Sequence, residues 1–298
     1  MVRTVLLLAT LAMSAPAFAD LLVSRGASGV DRYSDGGAFL GTLISPGSGG
    51  LVDAQGVAVL SNGDLLVGDF ASDNVLRFDP AGSFLGVFAS GPTINTPFDV
   101  VVGTGGDVFV ANAGGLDTIA RLNGTTGAVV QASFTSGNVT PIGGPQYMAF
   151  GPNLALTDIA GHVFRFDSST GVHVSTSFSF VNPEGVAFAG NGDLYVASFD
   201  GISRIPNGMV APELVIDGLA FPTDIAFGPD GTLYVLSDKV YRYDVSGPVG
   251  VLVDSFGTSG GEFLVHYVPI PEPGSFWLLG LGLIAMLAAG RRYRLRGF

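Results

Sequence analysis

Asn182 to Pro206 reads N-P-E-G-V-A-F-A-G-N-G-D-L-Y-V-A-S-F-D-G-I-S-R-I-P and holds three short strands. An apolar run, Val186 to Ala189, meets Asn191-Gly192; a second run, Leu194 to Ala197, follows, then a Gly-containing loop and a third run, Ile202 to Ile205. Asn-Gly between two apolar runs predicts a tight primed hairpin, because such a turn needs positive φ that Gly and Asn supply cheaply.

The same pattern recurs outward in both directions. Its first strand starts at Ala54-Gln55-Gly56-Val57, Pro97-Phe98-Asp99-Val100, Pro145-Gln146-Tyr147-Met148, Pro183-Glu184-Gly185-Val186 and Pro222-Thr223-Asp224-Ile225, at spacings of 43, 48, 38 and 39 residues. A sixth first strand, Gly261-Glu262-Phe263-Leu264, runs on to Val268 with no second or third strand behind it. Those missing strands stand at the other end. Asp20-Leu21-Leu22-Val23-Ser24 matches the second strand of the other copies, and Gly29-Val30-Asp31-Arg32-Tyr33 matches the third. One repeat is thus built from both ends of the chain, a need only of a closed array. Six copies of about 40 residues predict an all-β, six-bladed β-propeller over 20–268, its ring closed by the C-terminal strand. The fourth copy carries Gly151-Pro152-Asn153 in place of Asn-Gly-Asp, which breaks the hairpin pattern there.

The repeat resembles the NHL-type and gluconolactonase-like six-bladed propellers: Pro-x-Gly-φ-Ala-φ, then Asn-Gly-Asp-φ-φ-Val, then φ-x-Arg-φ, where φ is apolar. The resemblance implies the fold across Asp20 to Val268. It also implies a divalent metal held by acidic and amide residues where the first strands begin, with Glu184 the best match and Gln55, Gln146 and Glu262 as further ligands.

The two ends carry addresses. Arg3, the apolar stretch Val5 to Met13 and Ala17-Phe18-Ala19 before Asp20 predict a signal peptide over 1–19, cut by signal peptidase between Ala19 and Asp20. Pro269-Ile270-Pro271-Glu272-Pro273-Gly274 precedes an apolar run, Phe276 to Ala289, and then Arg291, Arg292, Arg294 and Arg296. Proline cannot continue a helix, so 269–298 reads as an extended linker, a short transmembrane helix and a basic cytoplasmic end. This tail resembles the PEP-CTERM sorting signal of Gram-negative bacteria, with Pro271, Glu272 and Pro273 as its signature. The resemblance implies exosortase as processing partner, an inner-membrane stage, and release to the cell surface or a matrix rich in exopolysaccharide.

With both ends set aside, eight basic residues face 24 acidic ones between Asp20 and Ile270. So acidic a body excludes nucleic acid as a partner and suits cations or neutral envelope glycans. The chain has no cysteine, hence no disulfide framework and no thiolate chemistry. Six of the eight basic residues are third-strand arginines, Arg32, Arg77, Arg121, Arg165, Arg204 and Arg242, one per repeat. A residue repeated around a ring serves the ring; Arg77 with Asp79, Arg165 with Asp167 and Arg242 with Asp244 are expected to pair within a strand. Gly257-Thr258-Ser259-Gly260-Gly261 matches a nucleophile elbow formally, without the strand-to-helix setting that motif requires. His162, His173 and His266 lie on different strands at no metal-binding spacing.

In a meander the start of strand one and the end of strand two share one end of the sheet. That end collects Gln55, Asp99, Gln146, Glu184, Asp224 and Glu262 around the channel, with Asp69, Asn112, Asp158 and Ser198 just outside. Such a mouth fits either a solvated polar channel or a hard cation, calcium above all. Two functions follow: a cell-surface or matrix-associated binding module, or a metal-dependent hydrolase or lyase. No general base stands out by spacing.

Overall fold

The computed structural model describes residues 20–137, 140–177, 180–257 and 260–267. The signal peptide with Ala19, Val268 and the whole tail with Pro271, Glu272 and Pro273 lie outside them.

Strands β1 (Asp20–Ser24), β2 (Val30–Ser34) and β3 (Phe39–Ile44) come first. Blade 1 is β4 (Ala54–Val59), β5 (Leu65–Asp69), β6 (Asn74–Phe78) and β7 (Phe84–Ala89); blade 2 is β8 (Pro97–Val102), β9 (Val108–Asn112), β10 (Thr118–Leu122) and β11 (Val129–Gln131). Blade 3 is β12 (Pro145–Phe150), β13 (Leu154–Asp158), β14 (Val163–Phe166) and β15 (His173–Ser177); blade 4 is β16 (Val186–Phe188), β17 (Leu194–Ser198), β18 (Gly201–Ile205) and β19 (Glu213–Ile216). Blade 5 is β20 (Asp224–Phe227), β21 (Leu233–Leu236), β22 (Val240–Asp244) and β23 (Val251–Phe256). The last strand, β24 (Leu264–Tyr267), pairs antiparallel with β1, so blade 6 runs β24-β1-β2-β3. The shared blade read from the repeats is therefore present, in the register Asp20 to Tyr267 and Val23 to Leu264.

The innermost strands meet in a cycle: β4 with β8, β8 with β12, β12 with β16, β16 with β20, β20 with β24, and β24 with β4. Burial follows the same cycle, with six apolar clusters, one at each blade interface. Phe109, Phe134, Met148 and Phe164, for example, fill the space between blades 2 and 3. Strands buried on both faces need continuous apolar runs, which is why the second strands lack a polar face. The fourth strands lie at the rim and expose Phe39, Leu85, Val130, Val174, Leu214 and Leu252.

Two local expectations are corrected. The Asn-Gly turns are not primed: Gly63 and Gly192 take positive φ while Asn62 and Asn191 do not. Leu60 N–H donates to Asp64 O at 2.8 Å and Gly63 N–H to Leu60 O at 2.8 Å, an ordinary turn closed by one left-handed glycine. The expected in-strand Arg–Asp pairs do not form either. Asp79, Asp167 and Asp244 instead accept backbone N–H groups of Ala81, Ser169 and Ser246 at 2.9, 3.1 and 2.9 Å, capping the turn into strand four. The arginines take the acid that precedes strand two, Arg77 with Asp64 and Arg121 with Asp107 at 2.7 Å, and Arg32 with Asp20. In blade 5 that position holds Thr232, and Arg242 pairs Asp254 in strand four; in blade 4 Arg204 takes Glu213 at 2.6 Å while Asp193 caps Asn207 N–H. Blade 3, with Asn153, leaves Arg165 buried with an unpartnered guanidinium nitrogen.

Candidate functional site

The mouth is built from three consecutive positions at the start of each innermost strand. The second position reads Gln55, Phe98, Gln146, Glu184, Thr223, Glu262 around the ring; the third reads Gly56, Asp99, Tyr147, Gly185, Asp224, Phe263. The third position thus repeats Gly, Asp, aromatic twice, a pseudo-twofold arrangement of blades 1–3 and 4–6.

Each member of that triplet has one physical role. Asp99 Oδ2 accepts Met148 N–H at 2.7 Å from the next blade, and Oδ1 accepts Val100 N–H at 2.7 Å. Asp224 does the same with Leu264 and Ile225 N–H, both at 2.8 Å. The glycine before each makes room, since a Cβ on Gly56 or Gly185 would collide with Asp99 or Asp224. The aromatic residue after each reaches the axis. Tyr147 and Phe263 stand with ring centroids 4.5 Å apart, and Phe98 packs on both, at 5.3 and 5.5 Å. The channel is therefore plugged beneath its mouth by three aromatic rings, where the repeat pattern alone predicts a polar channel.

The six oxygen-bearing positions accordingly divide. Asp99 and Asp224 spend both carboxylate oxygens on backbone N–H groups and join blades. Gln55, Gln146, Glu184 and Glu262 lie over the aromatic plug. Gln55 Nε2 donates to Asp53 Oδ1 at 3.2 Å, and Gln146 Oε1 is buried without a partner. Asn182 Nδ2 donates to the Glu184 carboxylate, and the charge of Glu184 is felt at the Tyr147 hydroxyl. The outer residues hold loops in place. Asp69 accepts Val52 and Asp53 N–H, Asn112 accepts Asn95 N–H, Asp158 accepts Gly143 N–H, and Ser198 donates to Gly201 O. All four are buried, so they are not part of the mouth.

Burial around the plug raises every carboxyl there toward its neutral form. Burial pushes Glu184 up to about 7, against the hydrogen bond from Asn182, and the charge of Glu262 adds to the rise. Glu262 is raised by burial and then by Asp53. Asp99 rises to about 7 by burial despite its two N–H donors, and Asp224 well above the carboxylate range for the same reason. The Tyr147 hydroxyl is raised by burial and by the charges of Glu184, Asp224, Glu262 and Asp99. Such a site offers carboxyl and amide groups as paired donors and acceptors. Among the described residues no group of three His, Asp or Glu side chains is arranged to hold a metal ion.

Comparison with known proteins agrees on both halves of the chain. Residues 269–292 match the PEP-CTERM protein-sorting motif, which marks an exported protein handled by exosortase. No curated protein matches the chain. Among solved structures, a chain of a nidogen/laminin complex is similar at a TM-score of 0.67 and 14% identity, covering 84% of this chain and 98% of that one. A catalytically inactive virginiamycin B lyase from Staphylococcus aureus with quinupristin is similar at 0.56 and 15%, covering 83% and 79%. A gluconolactonase from Xanthomonas campestris is similar at 0.56 and 14%, covering 69% and 77%. At these identities the likeness is one of fold.

Proposed function

We propose that this exported propeller is a binding module of the cell surface or extracellular matrix, and that its mouth takes a neutral glycan of the envelope or of secreted polysaccharide. The observation that carries the reading is the make-up of the mouth: two carboxyls and two amides, buried or half-buried, set over the Phe98, Tyr147 and Phe263 rings. Carboxyls raised toward the neutral form and amides exchange hydrogen bonds with sugar hydroxyls in both directions, while half-buried Phe98, unlike the buried Tyr147 and Phe263, offers ring surface to the C–H face of a pyranose. The acidic body repels anionic chains. The sorting motif supports the setting: signal peptidase cuts after Ala19, the apolar run Phe276 to Ala289 holds the chain in the inner membrane of a Gram-negative cell, and exosortase cuts near Pro271, Glu272 and Pro273. The test is retardation in native gels cast with dextran, laminarin or galactomannan, with Gln55→Ala/Gln146→Ala expected to weaken binding about tenfold. No retardation by any neutral polysaccharide would refute the reading. Mass spectrometry of the released protein should show a C-terminus at or before the Pro-Glu-Pro segment, and an intact tail would count against processing.

One observation favours a second reading, a divalent-metal-dependent hydrolase or lyase: the charge of Glu262 is felt at Glu184, and Gln55 and Gln146 add neutral oxygens of the kind calcium accepts. Glu184 and Glu262 are the two acids of that set at the mouth, and a metal there would draw its remaining ligands from the Gln55 and Gln146 amides and from water. Near-stoichiometric metal in the purified protein, lost together with lactone or ester turnover in Glu184→Gln, would establish it over the binding module.

A further inference from the structure

We infer that Phe199 and Phe221 form an aromatic platform beside the mouth on which a sugar ring of the bound chain stacks; this rests on the glycan reading of the mouth and gives it a specificity element. Phe221 has φ +52° and is 64% exposed. A bulky aromatic residue in the left-handed region is an outlier, and an exposed one gains no burial to offset the strain. Nor does the turn demand it. The residue just before the innermost strand is left-handed in other blades too, where it is Gly144, Gly260 or Asn182, types that take the conformation at less cost, and in blade 2 Thr96, which like Phe221 is an outlier there. What Phe221 adds is its ring. That ring meets the ring of Phe199, itself 44% exposed, edge to face with centroids 4.9 Å apart. Edge-to-face packing leaves a ring face uncovered.

The platform is tied to the mouth on both sides. Phe199 N–H donates to Val181 O at 3.0 Å, and the next residue, Asn182, holds Glu184. Gly185 N–H donates to the carbonyl of Thr223 at 2.9 Å, two residues beyond Phe221. A chain seated on Glu184 therefore has the two rings alongside it. Exposed Asp200 and Asp217 flank the pair, so the ring face suits a neutral pyranose and disfavours a uronic acid.

The test uses the full chain in non-ionic detergent, in native gels containing dextran, laminarin or galactomannan, with alginate as the anionic control. Phe221→Gly is the informative variant, because glycine accepts the left-handed turn. Its melting temperature should be no lower than that of the wild type, while affinity for the retarding neutral polysaccharide falls about tenfold or more. Phe199→Ala should lose affinity similarly, and alginate should retard none of the three proteins. Wild-type retardation with Phe221→Gly unchanged would overturn the platform alone and leave the glycan mouth standing. A wild type that no polysaccharide retards, yet that is captured by a membrane-protein fraction free of polysaccharide, would overturn the platform and the mouth reading together in favour of a protein partner.

Discussion

Tyr147 and Phe263 stand three blades apart in the ring and touch at its axis, with centroids 4.5 Å apart, so the two halves of the propeller are braced through its centre. Both are buried, and Phe98 completes the plug. Tyr147→Ala should cost about 3–5 kcal/mol in urea denaturation, as expected for deleting a large buried aromatic. Tyr147→Phe keeps the ring and removes only the hydroxyl, so about 1 kcal/mol or less is expected. Equal, small effects from both substitutions would show that the centre is not held by the rings.

Asp224 and Asp99 make the same bonds, but only Asp224 ties down the closing strand. Asp224→Ala leaves Leu264 and Ile225 N–H groups buried and unpaired, and Asp99→Ala leaves those of Met148 and Val100. Each orphaned donor costs about 1–3 kcal/mol, so both variants should lose about 2–6 kcal/mol. They separate in hydrogen exchange: Asp224→Ala should speed exchange in β24 and β1, the seam between the chain ends, and Asp99→Ala should not. Deleting Gly261 to Val268 should open the ring and bare a strand edge, with aggregation as the readout.

Acid stability should be unusual for so acidic a body. Glu184 and Asp99 are raised to about 7, and Glu262 and Asp224 are raised as well, all chiefly by burial. Each holds its proton more tightly in the folded state than in the unfolded chain. Folding therefore takes up protons between the ordinary carboxylate range and about pH 7, and the stability so gained is present below that range and lost as pH rises through the window. The melting temperature should fall by a few degrees from pH 5 to pH 7.5. In Glu184→Gln, which cannot titrate, the fall should be shallower. A melting temperature that rises across the window would contradict protonated acids at the mouth.

The ring was legible because closure leaves a sequence trace: β1 to β3 lack an innermost strand and β24 lacks outer ones. The mouth was legible by position but not by role. Asp99 and Gln55 look alike as oxygen donors at strand starts, yet Asp99 meets a neighbouring blade whose backbone N–H groups need acceptors, and no single repeat contains that neighbour. The alternation of Gly56, Asp99 and Tyr147 with Gly185, Asp224 and Phe263 was the available signal, visible only when blades are compared three apart. The arginine partners were misread for a related reason. Spacing of two residues puts Arg77 and Asp79 on one face of an ideal strand, but β6 ends at Phe78 and Asp79 already belongs to the turn.

Blade 3 supplies the sharpest test of the arginine ring. In blades 1 and 2 the residue before strand two is Asp64 or Asp107, and the arginine of strand three bonds it at 2.7 Å. In blade 3 that residue is Asn153, and Arg165 is 5% exposed with a guanidinium nitrogen unpartnered and its ionisation disfavoured by burial, an effect the charge of Asp193 offsets only in part. The strand register is the same, Leu65 opposite Phe78 and Leu154 opposite Phe166, so an acid at 153 would stand where Asp64 stands. Breaking a buried ion pair costs about 3–5 kcal/mol because a charge is left uncompensated; Asn153→Asp reverses part of that and should stabilise by about 1–3 kcal/mol. Arg165→Met removes the charge instead and should be neutral or stabilising, whereas Arg77→Met, which strands Asp64, should destabilise. Asn153→Asp that leaves the urea midpoint unmoved, or Arg165→Met that destabilises as much as Arg77→Met, would show that Arg165 is satisfied by some other means.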